Sequence, residues 1–267
     1  MIEGYPGHFR NSNRITFPHE LTEADARWWM NAIHPNAGVY PDELPSFLAS
    51  GIPGSVSGVY RAFDSTAQVF ELSLRSIDEA GVEIAFKNKR FEIGTGLVND
   101  GETRVHPDWQ EKGFGTLLMC NLIDFGRAIK ARQIDIEARD IGRYAWLAMG
   151  FLPDRTAWKE KIAPRAVAYA RAAFERRLIR KVDLDRIEDI VAEGDPRAAR
   201  EIVGLKAEVE GLDRMNRPAS VKLGKKILLL EGMDWNGSFQ FDDDTLSFYE
   251  RYRRARDAKP GHEGTEP

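Results

Sequence analysis

The segment from Val105 to Leu118 places the strongest constraint on what this chain can fold into, because a β-prone run, a glycine loop and an apolar helical run follow one another there. The alternating run from Glu102 to His106 is stopped by Pro107, and the loop Gln110 to Gly115 opens the helical run. A strand–loop–helix connection leaves backbone N–H groups unpaired at the helix start, where they and the helix dipole attract an anion. Glycine at 113 and 115 keeps a Cβ away from that anion. The segment therefore predicts a phosphate-binding loop.

Three kinds of phosphate loop compete for this segment. A Rossmann loop requires Gly-x-Gly-x-x-Gly, but Leu118 stands where the third glycine is needed. A P-loop requires Gly-Lys followed by Ser or Thr, and that order does not occur here. The remaining pattern is Gln/Arg-x-x-Gly-x-Gly/Ala. The segment Gln110 to Gly115 fits this pattern, and Val105-His106-Pro107 precedes it. The segment resembles the coenzyme A pyrophosphate loop of the GNAT superfamily of N-acyltransferases.

A second segment carries the same resemblance. The alternating run Gln133 to Ala138 predicts a strand, and Gly142 to Met149 predicts a helix that Gly150 ends before Phe151. This order is similar to the second conserved region of the family, so the resemblance is specific over roughly residues 102–151. It implies a mixed α/β fold with a mostly antiparallel central sheet, a V-shaped split of that sheet at the acyl-coenzyme A site, and a helical insertion before the last strands.

The resemblance also implies a domain organisation and a reaction. We expect a flexible leader over 1–20, a core over 21–158, a helical insertion over 159–222, closing strands and a helix over 223–258, and a disordered tail over 259–267. The implied reaction moves an acetyl or longer acyl group from acyl-coenzyme A, as co-substrate, to an amine, without a metal. The residues implied to bind the co-substrate are Arg104, Val105, Gln110, Glu111, Lys112, Gly113, Phe114, Gly115, Thr116 and Trp146.

Catalytic candidates follow from the same resemblance, each with a plainer alternative. Family enzymes often place a carboxylate on the strand before the loop, so Glu102 is the first candidate for the base that takes a proton from the amine, and a surface carboxylate is its alternative. His106 is the second candidate, with a capping or exposed role as its alternative. Trp146 stands where the family usually carries a Tyr that acts as the acid. Tyr144 lies two residues away, about 200° around a helix, so it is the candidate acid if the helix register differs; the alternative is that the thiolate departs without this acid. The family's usual Asn is also replaced, by Arg139, and a non-catalytic module that binds coenzyme A or a protein partner stays open.

Other patterns concern local structure. Thr22 to Asp25 predicts a capping box at the start of a helix whose Trp28 and Trp29 are candidates to line the acceptor pocket, with core packing as the alternative for at least one of them. Two strands, Val82 to Phe86 and Arg90 to Thr95, are expected to be joined by a polar turn at 87–89. Further expectations are a strand pair Val56 to Ala62 and Val69 to Leu74, closing strands Lys226 to Leu230 and Ser238 to Phe241, and helix-capping charges at 242–244.

Composition narrows the class of protein. With 38 Lys and Arg against 42 Asp and Glu, the formal net charge of −4 argues against a nucleic-acid binder. No run approaches the roughly 20 apolar residues of a membrane span. The single cysteine, Cys120, lies in an apolar run and predicts a buried thiol. We expect a cytoplasmic protein whose partner is an amine acceptor on a small molecule, peptide or protein. The helical insertion is expected to enlarge the pocket, bind a macromolecular acceptor or form a homodimer.

Overall fold

The computed structural model describes residues 7–110, 112–212 and 218–257, and these fall into two compact units that meet in the chain between Asp135 and Ile136. Glu111, residues 1–6 of the expected leader and the expected tail over 259–267 lie outside the described residues. Helices and a large, mostly antiparallel sheet make up the structure, so the predicted mixed α/β fold is confirmed. The expected domain boundaries stay predictions.

The first unit is a mostly antiparallel sheet covered by helices. Strand β1 is parallel to β2, and β2 to β5 are antiparallel neighbours in sequence order. A 3₁₀ turn at Pro107–Trp109 separates β5 from α4, and β6 carries the chain into the second unit. The elements are β1 (Ile15–Thr16), α1 (Glu23–Ala32), α2 (His34–Ala37), α3 (Leu44–Leu48), β2 (Ser55–Asp64), β3 (Val69–Ile77), β4 (Glu83–Glu92), β5 (Leu97–Val105), α4 (Phe114–Ala128) and β6 (Gln133–Ala138).

Local signals account for several of these boundaries. The hydroxyl of Thr22 accepts a hydrogen bond from the backbone N–H of Asp25, whose carboxylate accepts one from the N–H of Thr22, so the predicted capping box is confirmed. The Asp64 carboxylate accepts the N–H groups of Thr66 and Ala67, which closes the turn between β2 and β3. These interactions span at most three residues and can therefore be predicted from sequence.

Aromatic side chains join the sheet to its helices. The rings of Phe70 on β3 and Phe91 on β4 stack at 4.4 Å between centroids, and Phe125 of α4 meets Phe91 edge-on at 5.4 Å. Trp29 of α1 packs against Phe70 at 5.2 Å. All four rings are fully buried. Each such ring removes a large apolar area from water, so this face of the sheet is the core on which α1 and α4 rest.

The predicted turn at 87–89 is wrong. Strand β4 runs unbroken from Glu83 to Glu92 and pairs with β3 on one side and β5 on the other. Lys87 and Lys89 are buried in the middle of it, with exposed fractions of 0% and 1%. Their partners lie 11 to 31 residues further along the chain, so a local pattern of polar residues cannot reveal them.

The segment before α1 belongs to the fold of the first unit. Ile15 pairs with Gly58 of β2, and Phe9, Ile15 and Phe17 are buried. Phe17 stacks on Tyr60 at 5.0 Å between centroids. From Gly7 onward, the expected flexible leader is therefore anchored by three apolar side chains and a short strand.

The second unit is mainly helical and carries two small pairs of strands. Strands β7 and β10 are antiparallel, as are β8 and β9. The elements are α5 (Gly142–Met149), β7 (Leu152–Pro153), α6 (Arg155–Ala157), α7 (Ala163–Glu175), α8 (Lys181–Ala192), α9 (Ala199–Val203), β8 (Glu208–Leu212), β9 (Pro218–Lys222), α10 (Leu223–Leu228), β10 (Trp235–Gln240) and α11 (Asp243–Asp257). A π-helical stretch, Trp158–Ile162, joins α6 to α7, and a 3₁₀ turn, Pro196–Ala198, precedes α9.

Two predictions in the second unit have opposite outcomes. The end of α5 at Gly150 is confirmed: Gly150 is left-handed (φ 107°), and the N–H of Phe151 donates to the carbonyl of Trp146 at 3.0 Å. The strand predicted over Lys226 to Leu230 is wrong, since most of that segment lies in α10. Leu223, Ile227 and Leu228 are all buried, and burial of two adjacent residues together with a third one helical turn away fits one face of a helix and not the alternation of a strand. In the described part of the chain, no helix has the length and apolarity needed to span a membrane.

Candidate functional site

The loop at the start of α4 presents unpaired backbone donors. Gly113 precedes the helix with φ 81°, a left-handed conformation that is costly for residues with a Cβ. The first intrahelical bond is that from the N–H of Leu117 to the carbonyl of Gly113, at 2.9 Å. The N–H groups of Phe114, Gly115 and Thr116 therefore have no acceptor within the helix, and among the described residues no side chain caps them. Together with the dipole of a 15-residue helix, they favour an anion at this end.

Side chains of the loop fix its shape. Nε2 of Gln110 donates a hydrogen bond to the carbonyl of Val105 at 3.1 Å, which ties the loop back to the end of β5. The Lys112 ammonium lies 4.0 Å from the centroid of the Trp109 ring, a cation–π contact. Trp109 in turn packs on Phe114 at 5.9 Å between centroids. Val105 at the end of β5, Gln110 and Lys112 in the loop, and Phe114 at the start of α4 are thus linked by these contacts.

Space is available beside Gly115. A Cβ built on this glycine would meet a single neighbour within 4 Å, a methyl group of Val105 at 4.0 Å. The first turn of α4 therefore approaches the end of β5 without filling the gap in front of its N–H groups. Such a cradle fits an oxyanion such as a phosphate.

The exposed face of β5 carries a charged cluster. Arg104 donates to Glu102 at 2.8 Å and to Glu83 of β4 at 3.1 Å, and its guanidinium lies over the ring of Phe86. Hydrogen bonding to Glu83 and the charge of Glu102 raise the pKa of Arg104. The Glu102 side chain is 56% exposed. Because of this exposure, Glu102 is accessible to a proton donor. One of its carboxylate oxygens accepts a hydrogen bond from Arg104, which restrains the side chain in position.

His106 ends the strand and begins the 3₁₀ turn. Its backbone N–H donates to the carbonyl of Ile84, and its Nδ1 accepts a long hydrogen bond of 3.4 Å from the N–H of Asp108. With Nδ1 as acceptor, the neutral imidazole carries its proton on Nε2. His106 therefore caps the turn, which is the plainer of the two roles expected for it.

A buried polar network under α4 escaped the sequence analysis. The Lys87 ammonium donates to the carbonyl of Leu118 in α4 at 2.7 Å. The Lys89 ammonium forms an ion pair with Asp100 and donates to the hydroxyl of Thr103 at 3.1 Å. A usable signal was the missing Gly or Pro at 87–89.

Burial changes the proton affinity of both lysines. Burial lowers the pKa of Lys87 from its ordinary value of 10.5 to about 7. Burial, and then the neighbouring charge of Lys87, lower the pKa of Lys89 as well. The Asp100 carboxylate, in direct contact with Lys89, favours its charged form.

Strand β5 is distorted next to this network. Lys87 is opposite Thr103 and Lys89 is opposite Asp100, so the one residue between them on β4 faces two residues on β5. Gly101 and Glu102 therefore form a β-bulge facing Asn88, which leaves one residue of β5 without its ladder partner. A Cβ on Gly101 would lie 3.1 Å from the carbonyl oxygen of Asn88, so the close approach of the two strands favours glycine.

Two candidates lie on α5 of the second unit. Tyr144 is half-buried, and burial raises the pKa of its phenol. The Trp146 ring packs over Gly142, where a Cβ would lie 2.7 Å from the indole nitrogen, and it meets Phe151 at 6.2 Å between centroids. The roles expected for Tyr144 and Trp146 stay predictions.

The two tryptophans of α1 differ in exposure. Trp29 is completely buried, and its indole N–H donates to the carbonyl of Val39 at 2.9 Å. A ring without exposed surface cannot contact an acceptor, so Trp29 is a core residue. Trp28 is half-buried against Phe63, and its indole nitrogen has no hydrogen-bond partner among the described residues. Trp28 alone therefore stays a candidate for the acceptor pocket.

Two of the aspartates at the start of α11, Asp242 and Asp244, have structural partners. Asp242 accepts the backbone N–H of Thr245 at 2.7 Å, which caps the helix as predicted. Asp244 accepts from Arg200 at 2.9 Å. Among the described residues, no group of three or more His, Cys, Asp or Glu side chains is arranged to hold a metal ion.

Comparison with known proteins adds little to this geometry. No protein-family model matches the chain, and no curated protein matches it. Among solved structures, the crystal structure of nourseothricin acetyltransferase aligns with a TM-score of 0.27 and 16% identity. The alignment covers 38% of this chain and 61% of that one. A TM-score this low carries no argument, so the function is argued from the residues of the chain.

Proposed function

We propose that this chain is an N-acyltransferase that moves an acetyl or longer acyl group from acyl-coenzyme A to an amine of a small molecule, peptide or protein. The observation that carries the proposal is the uncapped start of α4 behind the motif Gln110 to Gly115. Such a site recognises a pyrophosphate, and the motif is the one that the GNAT superfamily uses for coenzyme A. We also propose that the protein acts in the cytoplasm.

The residues present fit this co-substrate. The N–H groups of Phe114, Gly115 and Thr116 are the proposed donors to the pyrophosphate, and the open space beside Gly115 leaves room for it. Lys112 adds a positive charge to the loop. Acyl-coenzyme A supplies an acyl group already activated as a thioester, so the protein's main task is to position and polarise it. The backbone N–H groups of residues 102–105 are the proposed donors to the acyl carbonyl.

Proton transfer requires a base and an acid on the protein. Glu102, exposed and restrained by Arg104, is the proposed acceptor of the proton that the amine loses. His106 is the second candidate. Tyr144 is the proposed acid for the departing thiolate, because a phenol is protonated at neutral pH even at its ordinary pKa of 10.0. The indole N–H of Trp146 does not release its proton to a thiolate, but it can donate a hydrogen bond, and the ring can pack against the co-substrate.

The proposal is tested by binding and turnover together. Isothermal titration with coenzyme A measures binding, and release of free thiol from acetyl-coenzyme A and longer acyl-coenzyme A species, with an amine panel, measures turnover. Gly115→Leu is the informative variant, because leucine favours a helix and yet fills the space in front of the N–H groups. We expect the variant to fold normally and to lose coenzyme A binding by tenfold or more. Unchanged binding would contradict the proposed loop.

A second function is favoured by one specific feature, the replacement of the family's acidic Tyr by Trp146. Under this alternative the chain is a module that binds coenzyme A or a protein partner without turnover. Binding of coenzyme A without thiol release, across all amines and acyl donors tested, identifies the module. Mass spectrometry that detects an acyl group added to a candidate acceptor identifies an enzyme instead. Gel filtration tests the proposed homodimer.

A further inference from the structure

One buried side chain, that of Lys89, contacts the residues on both sides of the bulge in β5. Asp100 lies immediately before the bulge residues Gly101 and Glu102, and Thr103 lies immediately after them. Lys89, from the adjacent strand, contacts both flanking residues through its ammonium, as an ion pair with Asp100 and a 3.1 Å hydrogen bond to Thr103. No such bridge is needed to pair two regular strands, so the network belongs to the irregular part of β5.

The bridge is also protected from water. The side chain of Lys89 has no exposed surface, and that of Asp100 is 5% exposed. A buried, partnered charge holds its neighbours in one geometry, because moving either partner leaves the other charge buried and unpaired. Surface ion pairs such as that of Arg104 with Glu102 impose a weaker constraint, because water solvates both partners.

The position of the bulge gives the bridge a role. Residues 102–105 supply the N–H groups that are proposed to polarise the acyl carbonyl, and a bulge redirects the backbone groups that follow it. We propose that Lys89 is a positioning residue: its ammonium, held between Asp100 and Thr103, fixes the Gly101–Glu102 bulge and thereby aims the backbone donors of β5. This inference rests on the proposed acyl transfer and deepens it.

The chain offers a matched control for the experiment. Lys87 is equally buried on the same face of β4, but its ammonium bonds to the carbonyl of Leu118 and not to either flank of the bulge. The test variant is Lys89→Met/Asp100→Leu, since removing the pair together avoids an unpaired buried charge. Thr103→Val removes only the hydroxyl, and Lys87→Met is the control.

Two readouts are measured on the full chain. In the double variant we expect kcat for acyl transfer to fall at least tenfold while the Kd for coenzyme A changes less than threefold. We also expect faster amide hydrogen exchange in peptides covering 97–106. Thr103→Val is expected to show smaller changes in the same direction, and Lys87→Met to retain kcat and exchange protection. A purely structural role would shift thermal stability without this split between kcat and Kd.

The outcomes separate this inference from the proposed function. If the wild-type chain neither binds coenzyme A nor releases thiol, the proposed function fails, and hydrogen exchange alone then decides whether Lys89 holds the bulge. If the wild type turns over and the double variant retains kcat and protection, the positioning role is overturned. An equal loss of kcat in Lys87→Met also overturns it, because the effect then follows buried charge rather than the bulge.

Discussion

The side-chain amide of Gln110 donates a hydrogen bond to the backbone carbonyl of Val105, at 3.1 Å. The bond closes the turn between β5 and α4 and connects the first residue of the glycine loop to the strand end that faces it. Because this carbonyl ends the strand, the bond sets how far the loop stands from β5. The residue that defines the motif in sequence is therefore also a structural clasp.

Removing the clasp is predicted to weaken coenzyme A binding. Gln110→Met keeps the length of the side chain but cannot donate, so the loop loses its connection to Val105. We expect the Kd for coenzyme A to rise by about tenfold, the equivalent of one lost hydrogen bond of about 1.4 kcal/mol. Titration calorimetry measures the change. Gln240→Met, a like substitution in β10, serves as control, and an equal loss in both variants would argue against the clasp.

Gly113 is predicted to be required for its backbone conformation as well as for access. Gly113→Ala places a Cβ on a residue with φ 81°, and we expect a loss of about 1–2 kcal/mol in stability and a weaker affinity for coenzyme A. Gly81→Ala is the matched control, since Gly81 has φ 83° and open space around its Cβ position. Urea unfolding is expected to show similar destabilisation in both, and calorimetry a binding defect in Gly113→Ala alone. Equal affinities would separate Gly113 from the site.

Glu102 is predicted to take part in proton transfer rather than in co-substrate binding. Glu102→Gln keeps the contact with Arg104 but removes the base, so we expect kcat to fall by about 10²-fold with little change in the Kd for coenzyme A. His106→Asn is predicted to have the smaller effect, because His106 caps the turn. Steady-state kinetics with the best acceptor amine measures both variants. A larger loss in His106→Asn would reverse the two roles.

Lys87 is predicted to make stability depend on pH. In the folded chain its pKa is about 7, whereas the unfolded chain holds the proton until roughly pH 10.4. The unfolded state therefore binds more protons between these values, and the free energy of unfolding rises with pH across this window. The penalty of burying Lys87 is full below pH 7 and disappears above about pH 10.4.

Substitution of Lys87 tests this directly. Relative to Lys87→Met, the wild type is expected to gain about 1.4 kcal/mol per pH unit between roughly pH 7.5 and 9.5. Lys87→Met is accordingly expected to be more stable than the wild type at pH 7. Urea unfolding at several pH values gives both quantities, and a constant difference across this window would show that Lys87 keeps an ordinary pKa.

Arg200 is predicted to be essential to the second unit. Its guanidinium donates to Asp244, to the carbonyl of Gly150 at 2.8 Å and to the hydroxyl of Thr245 at 2.9 Å. Arg200→Leu leaves the carbonyl of Gly150 and the hydroxyl of Thr245 buried without this donor, so we expect the free energy of unfolding to fall by about 2–4 kcal/mol. Arg197→Leu, whose ion pair with Asp242 is 3.8 Å long and exposed, is expected to cost less than about 1 kcal/mol. Thermal unfolding compares the two, and equal shifts would contradict the buried network.

Much of the fold was predictable where the signal is local. The capping box at Thr22 and the end of α5 at Gly150 depend on bonds between residues at most five positions apart. Short β-prone runs separated by turns predicted individual strands, and the mostly antiparallel sheet was implied by the resemblance over residues 102–151. The strand predicted over 226–230 is wrong because a run of apolar residues fits a buried strand and a buried helix equally well.

The sequence by itself determined the glycine loop at the start of α4, because left-handed Gly113 and the uncapped N–H groups follow from residue types within one turn. Only the tertiary structure decided that the lysines at 87 and 89 belong to a buried strand. Their partners, Leu118, Asp100 and Thr103, lie 11 to 31 residues away, and a lysine is buried only where such partners meet it. The pattern of charges along the sequence does not predict these contacts, because the hydrogen bonds and the ion pair that stabilise the buried lysines form only when β4, β5 and α4 pack together.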